Sequence, residues 1–298
     1  MARACGKVIL LGEHAVVYGV PAIAAGIERG AEASAQHAEV SLLWLGEARI
    51  SAADDSDLGR AFAALVRELG AAPAVVRATS ELPVGAGLGS SAALGVAIAR
   101  AVLELGGGGP EARVLAAASA WERVFHGNPS GIDTAAAAHG GCIWYTKQGG
   151  TEPLALGSTL TLAIAVAGPP ASTKAMVESV ARLGERRPEV FRKSLAGIES
   201  LVKNARLALE AGDVTGLGRL LDLNQMLLSG LMVSTEEIET ACRVAREAGA
   251  LGAKLTGAGG GGAVIALCEA DPEPVLDAWR RQGLTCFSTR VAARVGGT

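Results

Sequence analysis

The sequence predicts an α+β protein in two domains, and three observations carry that expectation. Half of the 298 residues are hydrophobic while only ten are aromatic, so the core is built from Ala, Val, Leu and Ile. Short apolar runs that stop at glycine or proline alternate with longer runs of helical spacing, the mark of strands exchanging with helices. A polar, Gly-rich stretch at residues 147–151 then interrupts the pattern, and beyond Gly157 strands flanked by helices resume, which points to mixed sheets. The length leaves room for two domains. The expected boundary is Gly157, giving domains of residues 1–157 and 158–298.

Residues 7–11 form an apolar run ending at Gly12, read as a buried strand, and a second run after Pro21 reaches Ile27. Residues 40–50 hold one or two further strands. Residues 61–69 have helical spacing and stop at Gly70. A strand over 74–82 feeds a glycine-rich turn, and residues 91–105 form a helix. Pro110 suits the first turn of the next helix, which runs to about Phe125 and is closed by Gly127. Residues 126–131 are dense in turn formers and read as a loop, after which Asp133 stands where an N-cap would, ahead of an Ala-rich helix. The second half opens with a strand at 160–167. Helices follow near 173–183, 191–211, 214–229 and 235–248. A second glycine stretch, a strand over 263–268, a helix over 272–282 and a last strand over 285–291 close the chain.

The charge balance excludes several function classes. Lys and Arg number 27 against 30 Asp and Glu, a net charge of −3, so the basic surplus of a nucleic-acid binder is missing. The five cysteines are scattered and never form CxxC, which argues against a zinc site or a secreted disulfide framework. The N-terminus meets Glu13 and His14 too soon for a signal peptide. Two uncharged stretches, 82–99 and 153–173, are long enough to span a membrane but are broken by Gly and Pro. The expectation is a cytoplasmic globular protein without membrane or nucleic-acid partners.

Four constellations carry chemistry. In Pro83-Val-Gly-Ala-Gly-Leu-Gly-Ser-Ser-Ala92 a strand enters a glycine loop and a helix leaves it, so unpaired N–H groups and a positive helix end meet at one point suited to phosphate. It lacks the Gly-Lys-Ser/Thr of a Walker A loop. Gly257, Gly259 and Gly262 match GxGxxG literally, but a strand follows instead of a helix, which rejects the dinucleotide fold; a backbone-approach loop and a packing turn both stay open. Glu122 and Asp133 flank an Asn-Pro-Ser-Gly turn, where one could hold Mg²⁺ and the other act as base. The alternative reading makes Glu122 a solvated helix residue and Asp133 an N-cap. Lys7, with Glu13 and His14 nearby, is either a snorkelling edge residue or a charge placed in a site.

Taken together these segments resemble a known family. Gly6-Lys-Val-Ile-Leu-Leu-Gly-Glu-His-Ala-Val-Val-Tyr-Gly-Val-Pro21 is similar to the first signature of the GHMP kinases in its mevalonate kinase form. The loop from Pro83 resembles the superfamily's ATP-phosphate loop. Glu122-Arg-Val-Phe-His-Gly-Asn-Pro-Ser-Gly-Ile-Asp133 is similar to the segment bearing the Mg²⁺ glutamate and catalytic aspartate, and residues 254–262 match the third signature. Asp222-Leu-Asn-Gln-Met-Leu-Leu228, with Val233-Ser234, resembles a further mevalonate kinase helix. The likeness runs in family order over nearly the whole chain.

The resemblance implies a two-domain GHMP kinase fold, with an N-terminal βαβ domain of left-handed crossover and a C-terminal ferredoxin-like domain. It implies ATP as co-substrate, Mg²⁺ as cofactor, and transfer of a phosphoryl group to the 5-hydroxyl of mevalonate. Backbone amides of Gly85, Ala86, Gly87, Leu88, Gly89, Ser90 and Ser91 would cradle the triphosphate. Glu122 with Ser90 or Ser91 would hold the metal. Asp133 would face the substrate hydroxyl and Lys7 would pair with it. His14, Gly257 and Ala258 would line the substrate pocket. Within the superfamily, phosphomevalonate or homoserine kinases are rivals, although a phosphorylated substrate asks for a basic cluster that only the segment at Ser172-Thr-Lys174 could supply. A non-catalytic nucleotide-binding homologue would be expected to have lost Lys7, Glu122 or Asp133, and all three are present. Assembly as a homodimer is left open.

Overall fold

The first apolar run belongs to a longer strand than expected, β1 (Ala2–Leu11), buried throughout from Gly6 onward, Lys7 included. In this computed structural model residues 1–127, 129–169 and 171–292 are described; Asn128, in the predicted loop over 126–131, and Pro170, in the uncharged stretch over 153–173, lie outside them. A short 3₁₀ turn (Ala15–Tyr18), not expected, follows β1, and β2 (Ala22–His37) continues ten residues past the predicted end at Ile27. Its second half has little strand propensity. Antiparallel pairing with β5 (Ala74–Ser80), from Ala31↔Ser80 to His37↔Ala74, overrides that preference.

Residues 40–50 resolve into two strands, β3 (Leu42–Leu45) and β4 (Ala48–Ser51). Helix α1 (Asp57–Leu69) starts earlier than predicted because Ser56 caps it, its hydroxyl accepting from Gly59 N at 3.1 Å. Helices α2 (Ser90–Leu105), α3 (Glu111–His126) and α4 (Ile132–His139) agree with expectation to within a residue or so. The polar stretch before Gly157 is not a plain linker, since it closes a hairpin of β6 (Cys142–Thr146) and β7 (Gly150–Pro153). Then come β8 (Leu160–Gly168), α5 (Thr173–Arg186), α6 (Pro188–Ala211), α7 (Val214–Gly230), α8 (Glu236–Glu247), β9 (Gly252–Leu255), β10 (Gly262–Cys268), α9 (Glu273–Arg281) and β11 (Cys286–Val291).

Packing divides the chain into two units that interleave in sequence. One gathers residues 1–6, 29–84 and 89–140, the other residues 7–28, 85–88 and 141–298, so β1 and β2 each pass from one to the other. Gly157, the boundary read from sequence, sits inside the second unit with its N–H donating to Leu209 O at 2.8 Å.

In the first unit β5 pairs with β2 on one side and in parallel with β3 on the other, and β3 carries β4. Helices α1, α2 and α3 pack together, with α2 on β5, around the fully buried Phe62, Leu65, Ile98 and Trp121. In the second unit β2 pairs with β6. Its other sheet has the order β11-β8-β10-β9, antiparallel at every junction. The succession β8, helices, β9, β10, α9, β11 is that of a ferredoxin-like layer. β9 and β10 are buried at every residue; β10 is apolar or glycine throughout, whereas β9 carries the buried Lys254. All five cysteines are free thiols, and burial pushes Cys142 and Cys242 up to about 12. Among the described residues no helix is long and apolar enough to cross a membrane.

Candidate active site

The first glycine loop runs directly into α2. Gly89 occupies the N-cap with φ 74°, and no side chain caps the helix. The amides of the first turn are therefore not consumed by a capping group, the arrangement that receives an anion. The preceding residues are held by backbone bonds within the second unit: Lys7 N donates to Leu88 O at 2.8 Å, and Ala263 N to Ala86 O at 2.9 Å.

The second glycine stretch approaches this loop backbone to backbone. A Cβ on Gly257 would lie 3.2 Å from Gly87 O, and one on Gly87 would lie 3.2 Å from Thr256 O, with both residues at positive φ (84° and 81°). Glycine is required at both positions. Of the two readings left open for Gly257–Gly262, the backbone-approach loop is the observed one. Gly85, Ala86, Gly87, Thr173, Thr256 and Gly261 line a cavity beside this contact.

Beneath the loops lies a buried polar cluster. The Lys254 ammonium and the Glu13 carboxylate form an ion pair with no side-chain exposure at either partner. Lys254 Nζ also donates to Leu255 O and to Ile9 O, and Asn224 Nδ2 donates to Glu13 Oε2 at 3.2 Å. Burial pulls the Lys254 pKa down, and the adjoining Glu13 charge opposes it. The neighbouring His14 sits at φ 59°, a strained conformation for a non-glycine residue. Its Nε2 is 2.8 Å from Ala258 O. A carbonyl can only accept, so Nε2 carries the proton, and because burial depresses the His14 pKa the ring is held neutral. The α7 segment supports the same strand: Gln225 Oε1 accepts from Leu255 N and Asp222 Oδ1 from Ala253 N, both at 2.9 Å.

In the first unit a second buried carboxylate has different neighbours. Glu122 is 2% exposed. Ser91 Oγ donates to Glu122 Oε1, Trp121 Nε1 donates to Ser91 Oγ at 3.1 Å, and His126 Nε2 lies 3.7 Å from Glu122 Oε2. Ser90 turns elsewhere, to Ser80 Oγ at 3.4 Å. Asp133 is the second residue of α4, half-buried, where a carboxylate favours the positive helix end.

The family models agree with this architecture in two places. The GHMP kinases N terminal domain matches residues 57–141, and the GHMP kinases C terminal model matches residues 205–284. Mevalonate kinase of Pyrococcus horikoshii is 37% identical, the match covering 98% of this chain and 95% of that protein. Mevalonate kinase of Methanothermobacter thermautotrophicus is also 37% identical, covering 94% of each. The chain belongs to the mevalonate kinase family of GHMP kinases. A crystal structure of L. major mevalonate kinase in complex with R-mevalonate superposes with a TM-score of 0.90 at 29% identity, covering 99% of this chain and 96% of that one.

As a member of the mevalonate kinase family, the chain shows which expected residues share a neighbourhood. Ser91 and Glu122 meet; Ser90 and Glu122 have no bond between them among those described. His14 and Ala258 meet, and Gly257 lies against Gly87. Two expectations are corrected. Asp133 does not cap α4, because Gly131, at φ 88°, takes that position. Glu122 is not a solvated helix residue: it lies inside α3 with 2% exposure and faces inward. Sequence reasoning missed Trp121 and assigned no role to Lys254 or Asn224. The signals present were that Lys254, one of six lysines beside 21 arginines, opens the stretch similar to the third signature, and that Asn224 lies in the segment resembling a mevalonate kinase helix.

Proposed function

We infer that this enzyme transfers the γ-phosphate of ATP to the 5-hydroxyl of mevalonate, releasing 5-phosphomevalonate and ADP. The observation that carries the reading is kinship with mevalonate kinases at 37% identity over nearly the full length of both chains. We further propose the roles of the individual residues. The amides of Gly85 to Ser91 hold the triphosphate. Asp133 orients the substrate hydroxyl and accepts its proton, and the buried Lys7 ammonium balances charge on the transferring phosphoryl group. His14, Gly257 and Ala258 border the substrate. Phosphoryl transfer asks a protein mainly for positioning and charge stabilisation, which this set supplies.

The residues suit Mg²⁺. It prefers oxygen ligands and is commonly held through one or two carboxylates, with waters and substrate phosphates completing its shell. A buried carboxylate joined to a hydroxyl, Glu122 with Ser91, is such a set of oxygens. When bound, the ion would neutralise charge on the phosphate oxygens. Ser91 is assigned to it in preference to Ser90.

Residues 1–157 and 158–298 are proposed as the two family domains, each containing one of the matched segments. The five free thiols fit a reducing cytoplasmic setting. The deciding experiment is a coupled ADP assay of the purified chain with MgATP and mevalonate, phosphomevalonate, homoserine or galactose. ADP release is expected with mevalonate; background release with mevalonate alongside turnover of another alcohol overturns the substrate.

A further inference from the structure

We propose that Trp121 is a positioning residue for the metal-binding pair Ser91 and Glu122. The inference rests on the reading above that this pair holds Mg²⁺.

The bond directions leave little freedom. An indole N–H only donates and a carboxylate only accepts, so the chain of bonds runs from Trp121 Nε1 to Ser91 Oγ and from Ser91 Oγ to Glu122 Oε1. A hydroxyl has one proton and two lone pairs. Its proton is directed to Glu122, one lone pair receives the indole, and the second is left in a fixed direction for a cation. A serine without the indole could rotate its proton into that direction and present a donor where an acceptor is needed.

The indole itself is held rigidly. Trp121 is 1% exposed and tilts against Phe125, with ring centroids 5.5 Å apart. On α2, one turn beyond Ser91, Gly95 leaves room for the ring: a Cβ there would stand 2.9 Å from Trp121 Cδ1. Trp121 and Glu122 are sequence neighbours on α3 while Ser91 and Gly95 share α2, so two packed helices deliver the whole relay. Such outer-shell partners usually matter to metal affinity nearly as much as the ligands they orient.

The test uses Trp121→Phe, which keeps an aromatic ring and deletes the donor. Trp279→Phe is the control, because Trp279 is equally buried and donates its own N–H to Ala241 O at 2.9 Å. ADP binding is measured by calorimetry with Mg²⁺ and with EDTA, and the ratio of the two affinities reports the metal independently of turnover. Trp121→Phe should lower that ratio about tenfold while leaving affinity in EDTA within about twofold, and Trp279→Phe should leave both unchanged. In a Ser91→Ala background Trp121→Phe should add nothing further, since the hydroxyl it orients is gone. Should Trp121→Phe fail to fold, Gly95→Ala displaces the indole and should produce the same loss.

A wild-type ratio in Trp121→Phe or Gly95→Ala overturns the proposal, as does an equal loss in Trp279→Phe. Glu122→Gln separates this failure from that of the underlying reading. If Glu122→Gln also keeps the wild-type ratio, the metal assignment falls; if it loses the ratio while Trp121→Phe does not, only the role of Trp121 falls.

Discussion

Glu13 and Glu122 are both buried glutamates, 1% and 2% exposed, yet their surroundings ask for opposite roles. Glu13 faces a lysine ammonium that solvent does not reach, with an asparagine amide on its other oxygen. Glu122 faces a serine hydroxyl and a partly exposed imidazole. A carboxylate whose charge is matched by a fixed internal cation serves the fold. One held by a hydroxyl beside an adaptable imidazole is suited to a cation that comes and goes. Burial alone therefore does not identify a ligand.

The most severe way to break this comparison is to remove the internal cation. Lys254→Met leaves the Glu13 carboxylate buried without its cation, and stability should fall by about 3–5 kcal/mol, read as a lower denaturant midpoint. Adding Glu13→Leu should restore much of the loss, because a well-packed apolar pair is often no worse than a buried ion pair. A double variant as unstable as Lys254→Met alone would show that Glu13 does not serve the fold as a charge partner.

On the catalytic side, Asp133→Asn should lower kcat by roughly 10²–10⁴-fold with little change in melting temperature, since the amide cannot accept the hydroxyl proton. Gly131, and not Asp133, caps α4, so the substitution removes no cap. Activity loss that merely tracks unfolding would assign Asp133 to the helix instead of the chemistry.

Much of the architecture was legible because it rests on local rules. Turn formers between an alternating strand and a helix announced the loop at 85–89, and most helices ended where a glycine stood. What failed was local chemistry with two outcomes. Asp133 looks like a cap, but the glycine two residues earlier takes that position. Glu122 looks like a surface residue because a helix sequence does not say which side meets another helix. The Lys254–Glu13 pair lies 241 residues apart in sequence, so no window could reveal it. Residues 147–151 read as linker because Gly and Lys are poor strand formers, and only pairing with β6 makes the end of that stretch a strand.

A smaller effect sharpens the other half of the comparison. Glu122→Gln keeps the shape and the bond from Ser91 but removes the charge offered to a cation. The Mg²⁺ concentration for half-maximal velocity should rise by about 10–100-fold, with partial recovery of turnover at high Mg²⁺ and an unfolding midpoint close to wild type. Unchanged metal dependence would place Glu122 with Glu13, as a structural group.

The smallest expected effect concerns His14, which adjoins Glu13 in sequence and borders the same buried cluster. Burial depresses its folded pKa, so the folded chain refuses a proton that the unfolded chain accepts near pH 6.5. The unfolded state then binds more protons below that pH, and stability falls with acidification by at most about 1.4 kcal/mol per pH unit for this one group. Above pH 7 both states leave the ring neutral and His14 contributes no slope. His14→Asn removes the titration and keeps a residue type that, like histidine, is enriched at positive φ. Unfolding free energies of the two proteins, measured in urea between pH 5 and 8, should run parallel above pH 7 and diverge below 6.5, with the wild type losing more. Parallel curves down to pH 5 would mean that His14 accepts a proton in the folded state as easily as in the unfolded one. The 2.8 Å contact with Ala258 O would then be a bond the protonated ring keeps, and burial would not be what holds the folded ring neutral below pH 6.5.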